Sequence, residues 1–508
     1  MSKRKERCFL KGFSYVPAFF LLLALLLPAL DTQAADKYWV GGSGWWDFAW
    51  NWSPLGQPVA NDTVYLTQSD GTDRTVWYWN ADYPSAVLYT LRIDAIGTGT
   101  MTFSQDRDTL SSQSEHIGDY GTGSFTQSGG TNTVSGGLYL GVNPIGLYYP
   151  SYPGHSVGSY YSAGSSGTYD LSGTGSLSAG TEYIGYNGTG SFTQSGGTNA
   201  VTNVLYLGEG FTGSGTYDLS GGSLSADHEE IGTYGTGSFT QTGGTNTVRG
   251  DLSLGDASGG YYSSTGYHSS TGSGTYDLSG TGSISASTEY IGNFGTGSFT
   301  QSGGTHTVTS DLYLGYRSTA SGTYDLSGTG SLWANGEYIG FSGTGSFTQS
   351  GGMHTVTNGL YLGYDLTASG AYDLSGTGSL SASTETIGYT GTGSFTQNGG
   401  THTVTNGLYL GYRSTGSGTY NLSGGSLSAG SETIGLYGTG SFTQSGGTNT
   451  VSGELRVDGT YQLTGGDVTA SDWTIGPTGT VTGGVGGLFK AGHSFSNHSL
   501  QNTSWDTD

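Results

Sequence analysis

Beyond its first 35 residues the chain shows no helical spacing of apolar positions. Apolar and polar side chains alternate over runs of four to six residues, and the runs end in glycine. In Ser394-Phe395-Thr396-Gln397 the phenylalanine takes one side and the threonine the other. In Leu408-Tyr409-Leu410 the leucines share a side and the tyrosine takes the opposite one. A period of two over runs this short predicts half-buried β-strands.

The strands recur in blocks. Gly-Thr-Gly-Ser-Phe-Thr-Gln is repeated with its aromatic residue at Phe125, Phe192, Phe239, Phe299, Phe347, Phe395 and Phe442. The intervals are 67, 47, 60, 48, 48 and 47 residues, so the base period is 47–48 with two insertions. Each period divides into halves of one plan: an aromatic strand, a glycine turn, a Thr/Ser strand, a small polar turn, and an apolar strand ending in glycine. A unit of about 24 residues with three short strands cannot bury its apolar face alone, but stacked copies can. The predicted fold is all-β, a right-handed parallel β-helix of about 16 coils. At a strand spacing of about 4.8 Å it would be roughly 80 Å long; its hand rests on chirality preferences. A β-propeller blade suits the period length, but not its division into halves.

Composition narrows this. The 97 glycines could mark a flexible linker, but aromatic residues make up 13% of the chain and the glycines recur at fixed places. Lys3, Arg4, Lys5, Arg7 and Lys11 precede an apolar run from Val16 to Leu30, and small residues follow at Ala34 and Ala35. This is the layout of an export signal, too short for a spanning helix. Cys8 lies before the apolar core, so the mature chain has no cysteine and must be held by packing and hydrogen bonds. Removing the signal takes five of 14 basic residues and two of 37 acidic ones, leaving 9 against 35 and a net charge near −26. Such a surface repels nucleic acid and anionic lipid.

Four segments follow: signal 1–35, a Trp-rich cap 36–85, the repeat domain 86–484, and a non-repeat tail 485–508 that ends as abruptly as a fragment would. The cap holds Trp39, Trp45, Trp46, Trp50, Trp52, Trp77 and Trp79. An open solenoid end must be covered to prevent end-to-end stacking; a sugar-stacking platform is the alternative use of these rings. The insertions, Val142–Gly167 and Ala257–Gly272, interrupt the same corner of the repeat. They carry Tyr148, Tyr149, Tyr152, Tyr160, Tyr161, Tyr261, Tyr262 and Tyr267, which are candidate contact residues on loops.

Several polar side chains recur at fixed repeat positions. Glu115, Glu182, Glu229, Glu289, Glu337, Glu385 and Glu432 hold one repeat position. A glycosidase needs a single special carboxyl pair, and these carboxylates recur on alternate coils, roughly 9.6 Å apart. They are expected to sit on a solvated corner. His306, His354 and His402 share a position held elsewhere by Asn132, Asn199, Asn246 and Asn449. At the same wide spacing they cannot share a metal, and a polar ladder or turn is expected. Asp170, Asp218, Asp277, Asp325 and Asp373 also recur, but the calcium-binding nonapeptide pattern is missing. Thr-x-Thr pairs such as Thr401/Thr403 alternate with Ser pairs such as Ser379/Ser381, which weakens an ice-binding reading. The outward residue of the third strand is tyrosine at Tyr139, Tyr183, Tyr206, Tyr290, Tyr313, Tyr338, Tyr361 and Tyr409. Cross-strand packing is its first use and a binding stripe its second. The sites favoured for binding are the insertion tyrosines with Tyr139, Tyr206, Tyr313, Tyr361 and Tyr409. No catalytic residue, metal or cofactor is expected.

The opening Tyr38-Trp39-Val-Gly-Gly, Trp50-Asn51-Trp52-Ser, Gly56-Gln-Pro58 and Asn61-Asp62-Thr-Val64, with the Gly-Ser-Phe-Thr-Gln-Ser-Gly-Gly-Thr and Tyr-Leu-Gly repeats, resembles autotransporter passenger-like bacterial surface β-strand-repeat proteins. The resemblance covers nearly the whole mature chain. It implies a secreted or surface-attached β-helix acting in adhesion. The expected partners are extracellular glycans, host or abiotic surfaces, or like chains. No nucleic acid is expected, and membrane contact only through an anchor outside this sequence. The alternative is a polysaccharide-active β-helix enzyme.

Overall fold

A computed structural model describes residues 34–79, 87–142, 164–256, 261–263, 266–268, 272–484 and 486–498. The export segment, but for Ala34 and Ala35, and Tyr148, Tyr149, Tyr152, Tyr160 and Tyr161 lie outside the described residues.

The chain winds as a parallel β-solenoid of about 18 turns. Each turn lays one strand on each of three sheets. Ser321–Leu326 lies on the first; Ser331–Ile339 bends at a bulge and serves the second and third. The strands of the repeat pair in parallel with their equivalents one coil away, as Tyr324 does with Phe347, Leu332 with His354, and Ile339 with Leu362. The ladder exceeds the expected 16 coils because it runs past the recognisable repeats at both ends. Asp36–Trp39 already pairs in parallel with Thr63–Gln68, and Gly487–Asn497 pairs in parallel with Gly466–Ile475.

Glycine sets the tight corners. Gly340 has φ +71°, and a Cβ there would lie 2.2 Å from the carbonyl oxygen of Ser369 on the next coil. The backbones therefore touch at the corner, where no larger residue fits.

Inside, alternate coils differ. On the first sheet the inward aromatic alternates between Phe and Tyr, and all these rings are buried. From Phe125 to Tyr461 neighbouring rings are parallel within 11°, with centroids 4.6–4.9 Å apart. Each such contact adds about 0.5–1.5 kcal/mol beyond simple burial. Trp46 packs edge-on against Trp52, Tyr78 and Phe103, extending this stack over the first coils. At the far end Trp473 packs on Tyr461 and Phe489. Trp50 by contrast is 68% exposed.

One expectation is overturned here. The seven recurrent glutamates are not on a solvated corner: each is at most 1% exposed. The histidines and their asparagine equivalents are equally enclosed, so they form an interior polar ladder and not a turn. The sequence pattern misleads because Glu-x-Ile and Leu-x-Leu fill the same strand on alternate coils. Period two places Glu inward with Ile, and a partner one coil away makes that placement tolerable.

Candidate functional site

The interior polar groups form repeated units, each spanning three coils. In one, Asn132 Nδ2 donates to Glu115 Oε2 at 2.9 Å and to the Tyr169 hydroxyl at 3.3 Å. That hydroxyl donates to Gln127 Oε1 at 2.7 Å, and Gln127 Nε2 donates to the carbonyls of Gly130 and Ser176. The pattern recurs at Glu182–Asn199–Tyr217–Gln194, Glu229–Asn246–Tyr276–Gln241 and Glu432–Asn449–Tyr461–Gln444. Burial raises the pKa of Glu115 to about 7 and those of Glu182, Glu229 and Glu432 to about 8, against the pull of the asparagine hydrogen bond.

In the other version histidine replaces asparagine. His306, His354 and His402 place Nε2 at 2.7, 2.8 and 2.9 Å from Oε2 of Glu289, Glu337 and Glu385. These close contacts are not aligned as hydrogen bonds. Nδ1 meets the hydroxyls of Tyr324, Tyr372 and Tyr420 at 2.9–3.0 Å. Each imidazole lies flat on the phenylalanine of its own coil, at 4.6–4.7 Å. These groups have the pairing of acid–base machinery, but they are sealed from any substrate. They brace the rod.

The accessible candidate is the edge where the third strand turns into the next coil. Tyr139, Tyr183 and Tyr206 stack there at 4.7–5.1 Å. Tyr290, Tyr313, Tyr338 and Tyr361 form a second file at 5.0–5.3 Å. Glu230 and Ser253 separate the files; Thr386 and Thr433 flank Tyr409. All these tyrosines are half-buried, and burial raises the pKa of Tyr313 and Tyr338, so the phenols keep their protons. The expected cross-strand packing is therefore present. Rings this close also leave no gap for a sugar between neighbours.

A second row, missed in the sequence, lies beside the first. Tyr316, Phe341, Tyr364, Tyr389 and Tyr412 follow the strand-ending glycines and run parallel at 4.7–5.4 Å. They meet the first row edge-on, at 67–88°. The signal was available as an aromatic residue after Ile-Gly or Leu-Gly. Arg317 lies over Tyr316 and Phe294 at 4.8 and 5.0 Å, and Arg413 over Tyr389 and Tyr412 at 5.3 Å.

Further toward the N-terminus the same edge is acidic. Burial, with repulsion from Glu230, raises the Glu209 pKa to about 7; burial, with repulsion from Asp256, does the same for Glu230. Asn293 donates to Asp256 at 3.2 Å, and Thr233 to Glu230 at 3.3 Å. Of the insertion residues, Tyr261–Ser263 and Gly266–His268 pair as an antiparallel hairpin that places Tyr262 opposite Tyr267. Among the described residues no group of three or more His, Cys, Asp or Glu side chains is arranged to hold a metal ion.

Comparison with protein families, curated proteins and solved structures finds no match to this chain. Its class is set by architecture alone: a parallel β-solenoid repeat protein with a polar-braced core and one variable edge.

Proposed function

We propose that this chain is an exported rod, displayed at a bacterial cell surface in the manner of an autotransporter passenger, that binds extracellular glycans or surfaces without catalysis. One observation carries the reading: both insertions and the long outward aromatic files share a single edge. Both tyrosine-rich insertions, the Glu209–Asp256 group and the arginine-flanked aromatic rows follow third-sheet strands. A rigid scaffold that gathers its insertions and outward aromatic rows along one edge is arranged for contact along that edge. The recurrent carboxyls that might have suggested catalysis are consumed inside the rod.

The test has two parts. Protease shaving of intact cells should release the chain, and a glycan array should report binding that falls when 143–163 and 257–271 are deleted. Retention of the chain inside unshaved cells, or an array signal indifferent to both deletions, would count against display or against the loops.

The competing enzyme reading requires accessible carboxyls of raised pKa, and Glu209 and Glu230 are the pair to test. Release of reducing or unsaturated ends from a polysaccharide, abolished by Glu209→Gln or Glu230→Gln, would replace the adhesion reading.

A further inference from the structure

Arg317 and Arg413 stand out in a strongly acidic chain. They are the sole Lys or Arg residues between Arg249 and Arg456. They occupy one repeat position, in Gly-Tyr-Arg-Ser-Thr, four coils apart, hence roughly 19 Å along the rod. Both are exposed. Among the described residues neither guanidinium lies within ion-pair distance of a carboxylate, whereas Arg74, Arg92, Arg107, Arg249 and Arg456 each do.

Their surroundings hold them ready. Each guanidinium is stacked on aromatic rings, and Arg413 also donates to the Tyr389 hydroxyl at 3.1 and 3.4 Å. Stacking uses the flat face of the group and leaves N–H edges for a planar anion. It also restricts the side chain before binding, which lowers the entropy cost of capturing a ligand. Between the two arginines run the rings of Phe341, Tyr364 and Tyr389, a rigid amphipathic floor. Midway, at the arginine-equivalent position, stands Asp365, which accepts a hydrogen bond from Ser342. A carboxylate there repels a second anion and accepts hydrogen bonds from hydroxyls.

We propose that the edge from Arg317 to Arg413 binds an acidic heteroglycan whose uronate carboxylates are separated by several neutral sugars. One carboxylate meets each guanidinium, and the neutral sugars between them lie along the rings and give hydroxyls to Asp365. The charge order along the edge, positive, negative, positive, selects sparse over dense anionic chains. The net negative charge of the chain acts in the same direction, because between Arg249 and Arg456 it penalises a polyanion except at these two points. This inference rests on the glycan-binding reading above and specifies its ligand.

The experiment is calorimetric titration of the full exported chain with three probes: glucuronoxylan oligosaccharides with sparse carboxylates, neutral xylo-oligosaccharides, and oligogalacturonate with a carboxylate on every sugar. The sparse acidic probe should bind best, and more weakly as salt is added. The double variant Arg317→Gln/Arg413→Gln should weaken it at least about tenfold and leave the neutral probe unchanged. Asp365→Asn should narrow the gap between sparse and dense probes. Both arginines are exposed, and an unchanged circular dichroism spectrum verifies the fold of the variants. Equal binding of neutral and sparse acidic probes, preference for oligogalacturonate, or indifference to the double variant overturns the inference while leaving glycan binding intact. No binding of any probe by the unaltered chain, with a silent glycan array, overturns both.

Discussion

The coils braced by asparagine and those braced by histidine are the same structure solved twice. In both, a glutamate points inward and a tyrosine hydroxyl from two coils further on closes the unit onto a glutamine. They differ in what faces the carboxyl. Asparagine offers one hydrogen bond and no charge, so burial dominates and Glu182 and Glu229 hold their protons up to about pH 8. Histidine places its Nε2 2.7–2.9 Å from the carboxyl and stacks on the phenylalanine of its own coil. A solenoid interior can therefore accept either an amide or an imidazole brace, provided the coils before and after supply the remaining partners. The histidine coils run from Glu289 to Tyr420, beneath the stretch of edge that carries the arginines.

The largest expected effect is on pH dependence. Burial raises the folded pKa values of Glu115, Glu182, Glu229 and Glu432 from 4.5 to about 7 or 8. Their stabilisation is fully present below the unfolded value, falls as pH rises through the window from 4.5, and is gone above about 8. Hydrogen exchange should show the asparagine coils loosening between pH 5 and about 8, and Glu182→Gln/Glu229→Gln should flatten the response locally. Loosening that persists unchanged in that double variant would show that these carboxyls do not carry the response.

Removing one partner should separate them next. His354→Ala removes a buried ring from against Phe347 and leaves Glu337 and the Tyr372 hydroxyl without their neighbour, at a cost of about 3–5 kcal/mol. Asn199→Ala strands a carboxyl able to stay neutral, at about 1–3 kcal/mol. Urea unfolding with exchange read coil by coil measures both; an inverted order would mean that the imidazole braces its coil no more firmly than the amide. Exchanging the braces is gentler. Asn199→His should lower the Glu182 pKa from about 8 by placing a cation beside it, visible as loss of the protonated-carboxyl infrared band at neutral pH. The smallest effect belongs to the shared link: Tyr324→Phe keeps the ring stack and removes one hydroxyl, for about 0.5–1.5 kcal/mol. Tyr217→Phe should match it.

Much of the architecture is legible in the sequence. Gly-Thr-Gly-Ser-Phe-Thr-Gln recurs at a spacing that only stacked coils explain, and the alternation within Leu-Tyr-Leu assigns inside and outside correctly. The outer tyrosine file was also readable, because a period of two in the strand becomes a column in the sheet. The glutamates were misassigned because a charged residue is read as exposed unless its partner is known. Asn132 is 17 residues from Glu115, and Tyr169 is 37 residues from Asn132 across an insertion. The second aromatic row was overlooked because Tyr316, Phe341 and Tyr364 lie in turns, where no strand period marks them.

Local periodicity and glycine placement are enough to dictate strands, coils and their stacking, since each depends on residues close in sequence and on the chirality and hydrogen bonding common to every chain. Whether Glu182 is a solvated charge or a buried neutral acid, and whether Arg317 and Arg413 face carboxylates or stand free on aromatic rings, depends on which side chains meet across coils. That proximity exists only after the chain has wound, because coil-to-coil contact joins residues that the sequence keeps a full turn or more apart.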